Sequence, residues 1–451
     1  MSVLPSLLDL LQPFFLQMTA PTFASFCTLV SGWILARRHN VTGALRPLQK
    51  PPKHHSAYHR VFAAARWSLD AVGLGLLRLI LASFLAGSDT LFLVIDDTVC
   101  RKHGRRMHGV DSHYDAANTS RKRSNANLSL KVRGHCWVIL GLVFPLPFRA
   151  GHYVCLPLLF RLYMNKKGAA RHGRPYRSRP ELARELLQMV CADFAQRSFH
   201  LLVDSAYGGQ DTLRHLPANC QMTCRWQMNV RLCQPPPTQR PRGKHGPLPR
   251  RGALLPSPPQ MLEQRCQHVQ LDLYGQHESY RLASTAACLF TVPERLLRIV
   301  VSERLTPAGK PRRNFRAMYY STASDACPQQ VLQWYAQRWS IEVAIRDSKQ
   351  QMGFAQPQGW TAAAVGRTAP TLMLLYSVVV LWFTREGQHF RRPAHLPWYP
   401  HKKAISFADM LSTLRWRMFR QLLCPTLQPL CKAVGSRKAA GAVLRLIRLA
   451  A

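Results

Sequence analysis

The segment from Tyr335 to Lys349 carries four side chains suited to chemistry on an anion: Tyr335, Arg338, Glu342 and Lys349. A helix turns about 100° per residue, so steps of three, seven and fourteen residues return to nearly the same direction and the four share one face. A core helix would not set four polar groups in one stripe beside Ile341 and Ile345, although an exposed helix could do so through ordinary ion pairs. Asp347 sits roughly 140° around the helix from Glu342 and belongs to another face.

Two more acids stand where a hard cation could use them. The apolar runs Leu91–Ile95 and Phe199–Val203 read as strands buried on both faces, and they end in Asp96-Asp97-Thr98 and in Asp204. One aspartate at a strand end is usually a turn or cap residue. Two such strands carry more weight, because hard cations take oxygen ligands from rigid elements. Asp96 and Asp97 point to opposite faces of their strand. Both faces are apolar, Phe92 and Val94 on one and Leu93 and Ile95 on the other, so periodicity leaves the choice open.

The elements that must position these groups follow from the apolar pattern. Helices are expected from Ser6 to about Arg38, where Leu7, Leu8, Leu11, Phe14, Phe15 and Met18 recur at helical spacing. A Pro- and Lys-rich break from Leu48 to Lys53, a basic stretch from His54 to Arg60, and a helix from Ser68 to Ala86 come next. Strands are expected at Asn127–Val132 and Cys136–Val143, with a helix from Pro180 to Ala195 before the second acid-bearing strand. Strand-like segments then recur at Gln221–Val230, Gln267–Leu273, Ala286–Thr291 and Leu297–Ser302. The Pro- and Arg-rich stretch Gln234–Pro259 that interrupts them reads as a solvent loop or a phosphate-contacting arm. A helix from Pro328 to Met352 and apolar C-terminal helices complete the chain.

Composition narrows the partner. Lys and Arg number 61 against 22 Asp and Glu, a formal charge of +39. Such a chain repels itself unless a polyanion offsets the charge, and nucleic acid is favoured over an anionic membrane surface because neutralised phosphates release counterions. A basic RNA-binding or membrane-surface protein without catalysis is the rival, and it predicts no metal dependence. In so basic a chain, three buried carboxylates would be costly without a metal or a base. The 13 cysteines are odd in number and no secretory pattern opens the chain, so reduced cytosolic thiols are expected. Cys220, Cys224 and Cys233 lack the spacing and the second pair of a zinc site. The most apolar run, Pro370–Phe383 between Arg367 and Arg385, is short for a bilayer span and reads as a core helix.

The pattern Tyr335-x2-Arg338-x3-Glu342-x6-Lys349 resembles the signature that surrounds the third catalytic acid in a large group of DDE transposases of bacterial insertion sequences. Leu91–Thr98 is similar to that family's first catalytic strand, and Leu201–Gly208 (LLVDSAYG) to its second. The resemblance implies an α/β fold: a ribonuclease-H-like catalytic core, with a mixed five-stranded sheet flanked by helices, a β-rich insertion and a helical N-terminal region. It implies a triad of Asp97, Asp204 and Glu342, with Asp97 chosen because the family places its acid directly before Thr. The triad would hold two Mg²⁺, for which Mn²⁺ may substitute. Arg338 and Lys349 would contact phosphates and Tyr335 would position one. Residues 1–86 are then a separate helical DNA-binding region, 87–217 the first part of the core, 218–315 the insertion, 316–390 the second part of the core, and 391–451 a basic C-terminal region. The expected activity is cleavage of double-stranded DNA at element ends and joining of 3′-OH ends to target DNA. The expected setting is a homodimer on paired ends in the bacterial cytoplasm, at the nucleoid, with no membrane partner. The alternative is an inactive or domesticated DNA-binding relative.

DNA affinity should therefore fall steeply with salt, by about 0.9 in the log–log slope for each neutralised phosphate. Binding measured across a salt series checks this, and a flat response is incompatible with a phosphate-driven interface.

Overall fold

The computed structural model describes residues 3–48, 51–104, 106–114, 131–239, 246–273, 275–390, 402 and 404–433. Its strands, in chain order, are β1 (Thr90–Arg101), β2 (Asp111–Tyr114), β3 (Lys131–Pro145), β4 (Tyr153–Tyr163), β5 (Ser198–Val203), β6 (Cys220–Trp226), β7 (Leu232–Cys233), β8 (Gln267–Leu273), β9 (Gln276–Leu289), β10 (Val292–Leu305) and β11 (Pro311–Ser321). The helices that matter for the site are α1 (Ala20–Leu35), α2 (His55–Ala63), α3 (Leu69–Phe84), α4 (Arg179–Asp193), α5 (Pro328–Gln337), α6 (Trp339–Gln351), α7 (Ala362–Arg385) and α8 (Phe407–Ala433).

β1 is central. It pairs antiparallel with β3 and parallel with β5, and Leu93, Val94 and Ile95 are buried on both its faces. The protein is mixed α/β, as the patterning leads one to expect, but the sheet does not stop at five strands. Among the described residues it has eleven, in the order β2-β3-β1-β5-β6-β11-β10-β9-β7, with β4 on β3 and β8 on β9. Within it, β4-β3-β1-β5-β6 form a run of three antiparallel strands followed by two parallel to β1.

The strands expected to form a separate β-rich insertion continue this sheet. β6 pairs with β11 from Met318↔Trp226 to Ser321↔Thr223, and β10 and β9 follow without a break. Residues on either side of the expected boundary at 315 thus lie in one strand, β11. The expected strand Leu297–Ser302 is part of the longer β10, and Ala286–Thr291 covers the end of the longer β9, up to Leu289, and the turn after it. Of the expected strand Asn127–Val132, residues 127–130 lie outside the described residues. The Pro- and Arg-rich stretch is anchored at both ends. The Gln234 N–H donates to the Ala253 carbonyl at 2.8 Å, and Pro258 opens a short helix that buries Met261 and Leu262.

The N-terminal helices are not a separate body either. Leu7, Phe14, Phe26, Trp33 and Phe62 are fully or almost fully buried and share one apolar cluster with Leu93, Leu140, Leu159 and the residues of α7. So many large apolar side chains on short helices cannot be buried among themselves, and they pack against the body instead. The apolar C-terminal run lies in α7, which is long and apolar enough to cross a membrane but has 89% of its most apolar window buried in the fold. A smaller core of Leu271, Leu282, Val300, Val331 and Leu332 seats α5 on the far half of the sheet.

Three buried histidines tie stability to pH. Burial pushes His39, His135 and His200 each down to about 4, with Arg415 beside His39 and Lys102 beside His135 adding repulsion. The unfolded chain takes up these protons below about pH 6.5 while the folded chain does not, so their stabilising contribution is present above that pH and is lost as pH falls toward 4. Urea unfolding between pH 7 and 4.5 should show stability falling by about 1.4 kcal/mol per pH unit for each proton taken up. His200→Gln should flatten the dependence, and an unchanged slope in that variant would remove His200 from the account.

Candidate active site

The register of two parallel strands brings two acids together. β1 and β5 pair as Thr90↔Ser198, Phe92↔His200 and Val94↔Leu202. Two residues on, the same register sets Asp96 opposite Asp204, and residues level with each other on parallel neighbours point to the same face. Phe92 and His200, which share that face, both contact Trp334 of α5, with ring centroids 6.0 and 4.5 Å away. This is the face that α5 and α6 cover. Burial above all, and the neighbouring Asp204 carboxylate, push Asp96 up to about 7 against the opposing pull of Arg338.

The helix supplies the cation between the acids. Arg338 stands between α5 and α6 with helical dihedrals, φ −56° and ψ −33°. The bonds Arg338 N–H to Tyr335 O and Ile341 N–H to Arg338 O span three residues, so the helix tightens here but does not stop. Its guanidinium reaches Asp96 Oδ2 at 3.4 Å and pairs with the Glu342 carboxylate, while its Nε donates to the Tyr335 hydroxyl at 3.1 Å. Tyr335, Arg338, Glu342 and Asp96 are thereby one hydrogen-bonded chain. Lys349 lies further along β1, where its Nζ donates to Thr98 Oγ1 at 2.6 Å and to the Val99 carbonyl at 2.9 Å. Asp347 pairs with Arg346.

Asp97, expected in the triad, lies on the other face. Its carboxylate accepts from Arg179 at 2.9 and 3.1 Å, from the Tyr207 hydroxyl at 2.6 Å and from the Cys136 thiol at 3.5 Å. The physical reason is strand alternation: Asp97 is one residue past the position level with Asp204. The sequence reading leaves Asp96 and Asp97 open by periodicity and takes Asp97 from the resemblance, whereas the strand register brings Asp96 level with Asp204; it singles out neither Arg179 nor Tyr207, the partners of Asp97. A usable signal is present, since each strand runs five residues to its acid, the apolar Leu91–Ile95 to Asp96 and Phe199–Val203, apolar except for His200, to Asp204.

A family model described as DDE superfamily endonuclease matches residues 13–284, more than half of the chain. The chain belongs to the DDE superfamily of endonucleases. No curated protein matches it. The matched residues of this DDE endonuclease include Asp96, Asp97 and Asp204 and end before Glu342. The family supports nuclease activity on DNA, and nucleases of this superfamily typically use divalent metals. The donors suit such an ion in kind, since Asp96 and Asp204 are carboxylates in register and a cation would relieve both the burial of Asp96 and the repulsion between the two. Among the described residues, no three His, Cys, Asp or Glu side chains meet as a metal-holding group, and Glu342 is joined to Asp96 through Arg338.

Removing the guanidinium should move Asp96 in a defined direction. In Arg338→Gln the Asp96 carboxyl should titrate above about 7, because the group that lowers it is gone. Carboxyl ¹³C NMR on aspartate-labelled protein reads this, and an unchanged or lower value would separate Arg338 from Asp96 in solution.

Proposed function

We propose that this DDE endonuclease is a transposase of the bacterial insertion-sequence type, cutting double-stranded DNA at its element's ends and joining the 3′-OH ends to target DNA. The reading rests on one observation above others. Asp96 and Asp204 share a register position on adjacent parallel strands, and the helix bearing the Tyr-x2-Arg-x3-Glu-x6-Lys pattern brings Arg338 to Asp96, with Glu342 paired to that same guanidinium. The strand run β4-β3-β1-β5-β6 supports a ribonuclease-H-like core, extended here by further strands of the same sheet.

In this reading Asp96 and Asp204 hold the metal pair, Mg²⁺ with Mn²⁺ as substitute, and Glu342 completes the set. Asp96 takes the place first expected of Asp97. The bound ions supply an activated water or 3′-OH nucleophile and a stabilised leaving oxygen. Arg338, whose guanidinium faces Asp96, Glu342 and the Tyr335 hydroxyl, would meet a phosphate by turning its planar fork from these carboxylates. Lys349 acts from behind, holding α6 to β1 through Thr98 and Val99. The +39 charge supplies the long-range attraction to DNA. The site of action is the cytoplasm, and the assembly on paired ends is a homodimer by analogy.

Asp96→Asn, Asp204→Asn and Glu342→Gln should each reduce nicking of element-end DNA by more than about 100-fold, the upper range for residues that merely support a metal ligand. Binding in a mobility-shift assay on the same DNA should persist, because it rests on the basic surface. Full nicking by Asp204→Asn would overturn the reading. Nicking lost in Asp97→Asn but kept in Asp96→Asn would return the first-strand ligand to Asp97. A wild-type protein that binds element ends but nicks in neither Mg²⁺ nor Mn²⁺ would favour the DNA-binding alternative.

A further inference from the structure

The back of β1 carries a polar cluster that the proposed chemistry does not use. Asp97, Tyr207, Arg179 and Cys136 meet there, with Tyr207 only 2% exposed. Besides Cys136 on β3, the cluster joins three separate parts of the chain. Asp97 follows Asp96 on β1, Tyr207 lies three residues after Asp204, and Arg179 opens α4 behind a capping box formed by Ser178 and Glu181.

The turn that carries Asp204 is held from several sides. The N–H groups of Tyr207 and Gly208 donate to the Asp204 carbonyl at 3.1 and 3.0 Å, and that of Ala206 donates to Asp204 Oδ1 at 2.9 Å. The Tyr320 hydroxyl donates to the Gly208 carbonyl. A side chain at Gly208 would run into Cys224 Sγ, 2.2 Å from where its Cβ would stand, so the turn has no room to slide that way. Each of these bonds ties the turn to itself or to the β6–β11 side. The Tyr207–Asp97 bond is the one among them that ties it to β1, where the other acid stands.

We infer that Asp97, Tyr207 and Arg179 form a positioning clamp that fixes the distance between the Asp96 and Asp204 carboxylates from the opposite face of β1. Asp97 sets the β1 end, Tyr207 the β5 end, and Arg179 holds the Asp97 carboxylate through both its oxygens. None of the three touches the reacting atoms. The inference rests on the proposal that Asp96 and Asp204 hold metal.

The test measures Mn²⁺ binding to the full-length protein without DNA, by electron paramagnetic resonance titration, with thermal unfolding as a check on folding. Tyr207→Phe removes only the hydroxyl and should weaken Mn²⁺ affinity about 10-fold, in the range seen when a group orienting a metal ligand is lost. Asp97→Ala, which removes the acceptor, should weaken it similarly. The double variant should lose much less than the product of the two, because both remove one bond. Nicking in Tyr207→Phe should recover at high Mn²⁺, which a catalytic role for the hydroxyl would not permit. Wild-type affinity in Tyr207→Phe, with Mn²⁺ binding abolished in Asp96→Asn, overturns the clamp and leaves the metal site standing. Unchanged Mn²⁺ binding in Asp96→Asn and Asp204→Asn overturns the metal site itself. Abolished binding in Asp97→Asn alone makes Asp97 a ligand and ends the inference.

Discussion

Two carboxylates held level on neighbouring parallel strands, and partly shut off from water, set the terms for everything around them. The β1/β5 register, locked by apolar residues on both faces of both strands, brings Asp96 and Asp204 side by side, and the turn after β5 holds Asp204 there. The repulsion must be met where it stands. Arg338 meets part of it, and its own burial is tolerable because Asp96, Glu342 and the Tyr335 hydroxyl all face its guanidinium. Asp96 nevertheless remains raised to about 7, by its burial above all and then by Asp204. A cation held between the two carboxylates would favour their charged forms.

The same economy of acids runs along the rest of β1. With 22 acids for 61 basic residues, most cations cannot find a carboxylate. Near the site they use backbone carbonyls. Lys349 donates to the Val99 carbonyl, and Lys102, buried at the end of this segment, donates to those of Ala355 and Pro357 at 2.7 and 2.5 Å. These contacts fasten α6 and the loop after it along β1, from the position of Asp96 to beyond its last residue. The helix carrying Glu342 is therefore held at several points, and its placement does not depend on the acid cluster alone.

Much of the site is legible in sequence because it is local. Five-residue, largely apolar strands ending in Asp, and a polar stripe at helical spacing, need no tertiary information. The choice between Asp96 and Asp97 does need it, or at least a comparison of the two runs by length, since each neighbour is equally plausible on its own strand. β4 is hidden for another reason. It contains Pro157, which argues against a strand interior, and the structure accommodates it where the β3 register shifts between Leu140 and Gly141. β11 opens with Pro311, Arg312 and Arg313, which read as loop, and its pairing with β6 spans about a hundred residues of chain. The N-terminal helices look independent because their partners, α7 and α8, lie more than three hundred residues away.

The β6–β11 seam has a consequence for how this protein can be divided. A fragment cut at residue 284, where the family match ends, would keep β6 but lose β11, β10 and the end of β9. It would present a bare edge on a strand built for the interior, without the short length or the charged, bulged rim that natural edges use to discourage sheet growth. α5 and α6 would be gone as well, uncovering the face on which Phe92 and His200 pack against Trp334. Such a piece is a recipe for insoluble protein, not for a minimal nuclease. The stretch that reads as an add-on in sequence is the outer wall of the catalytic half.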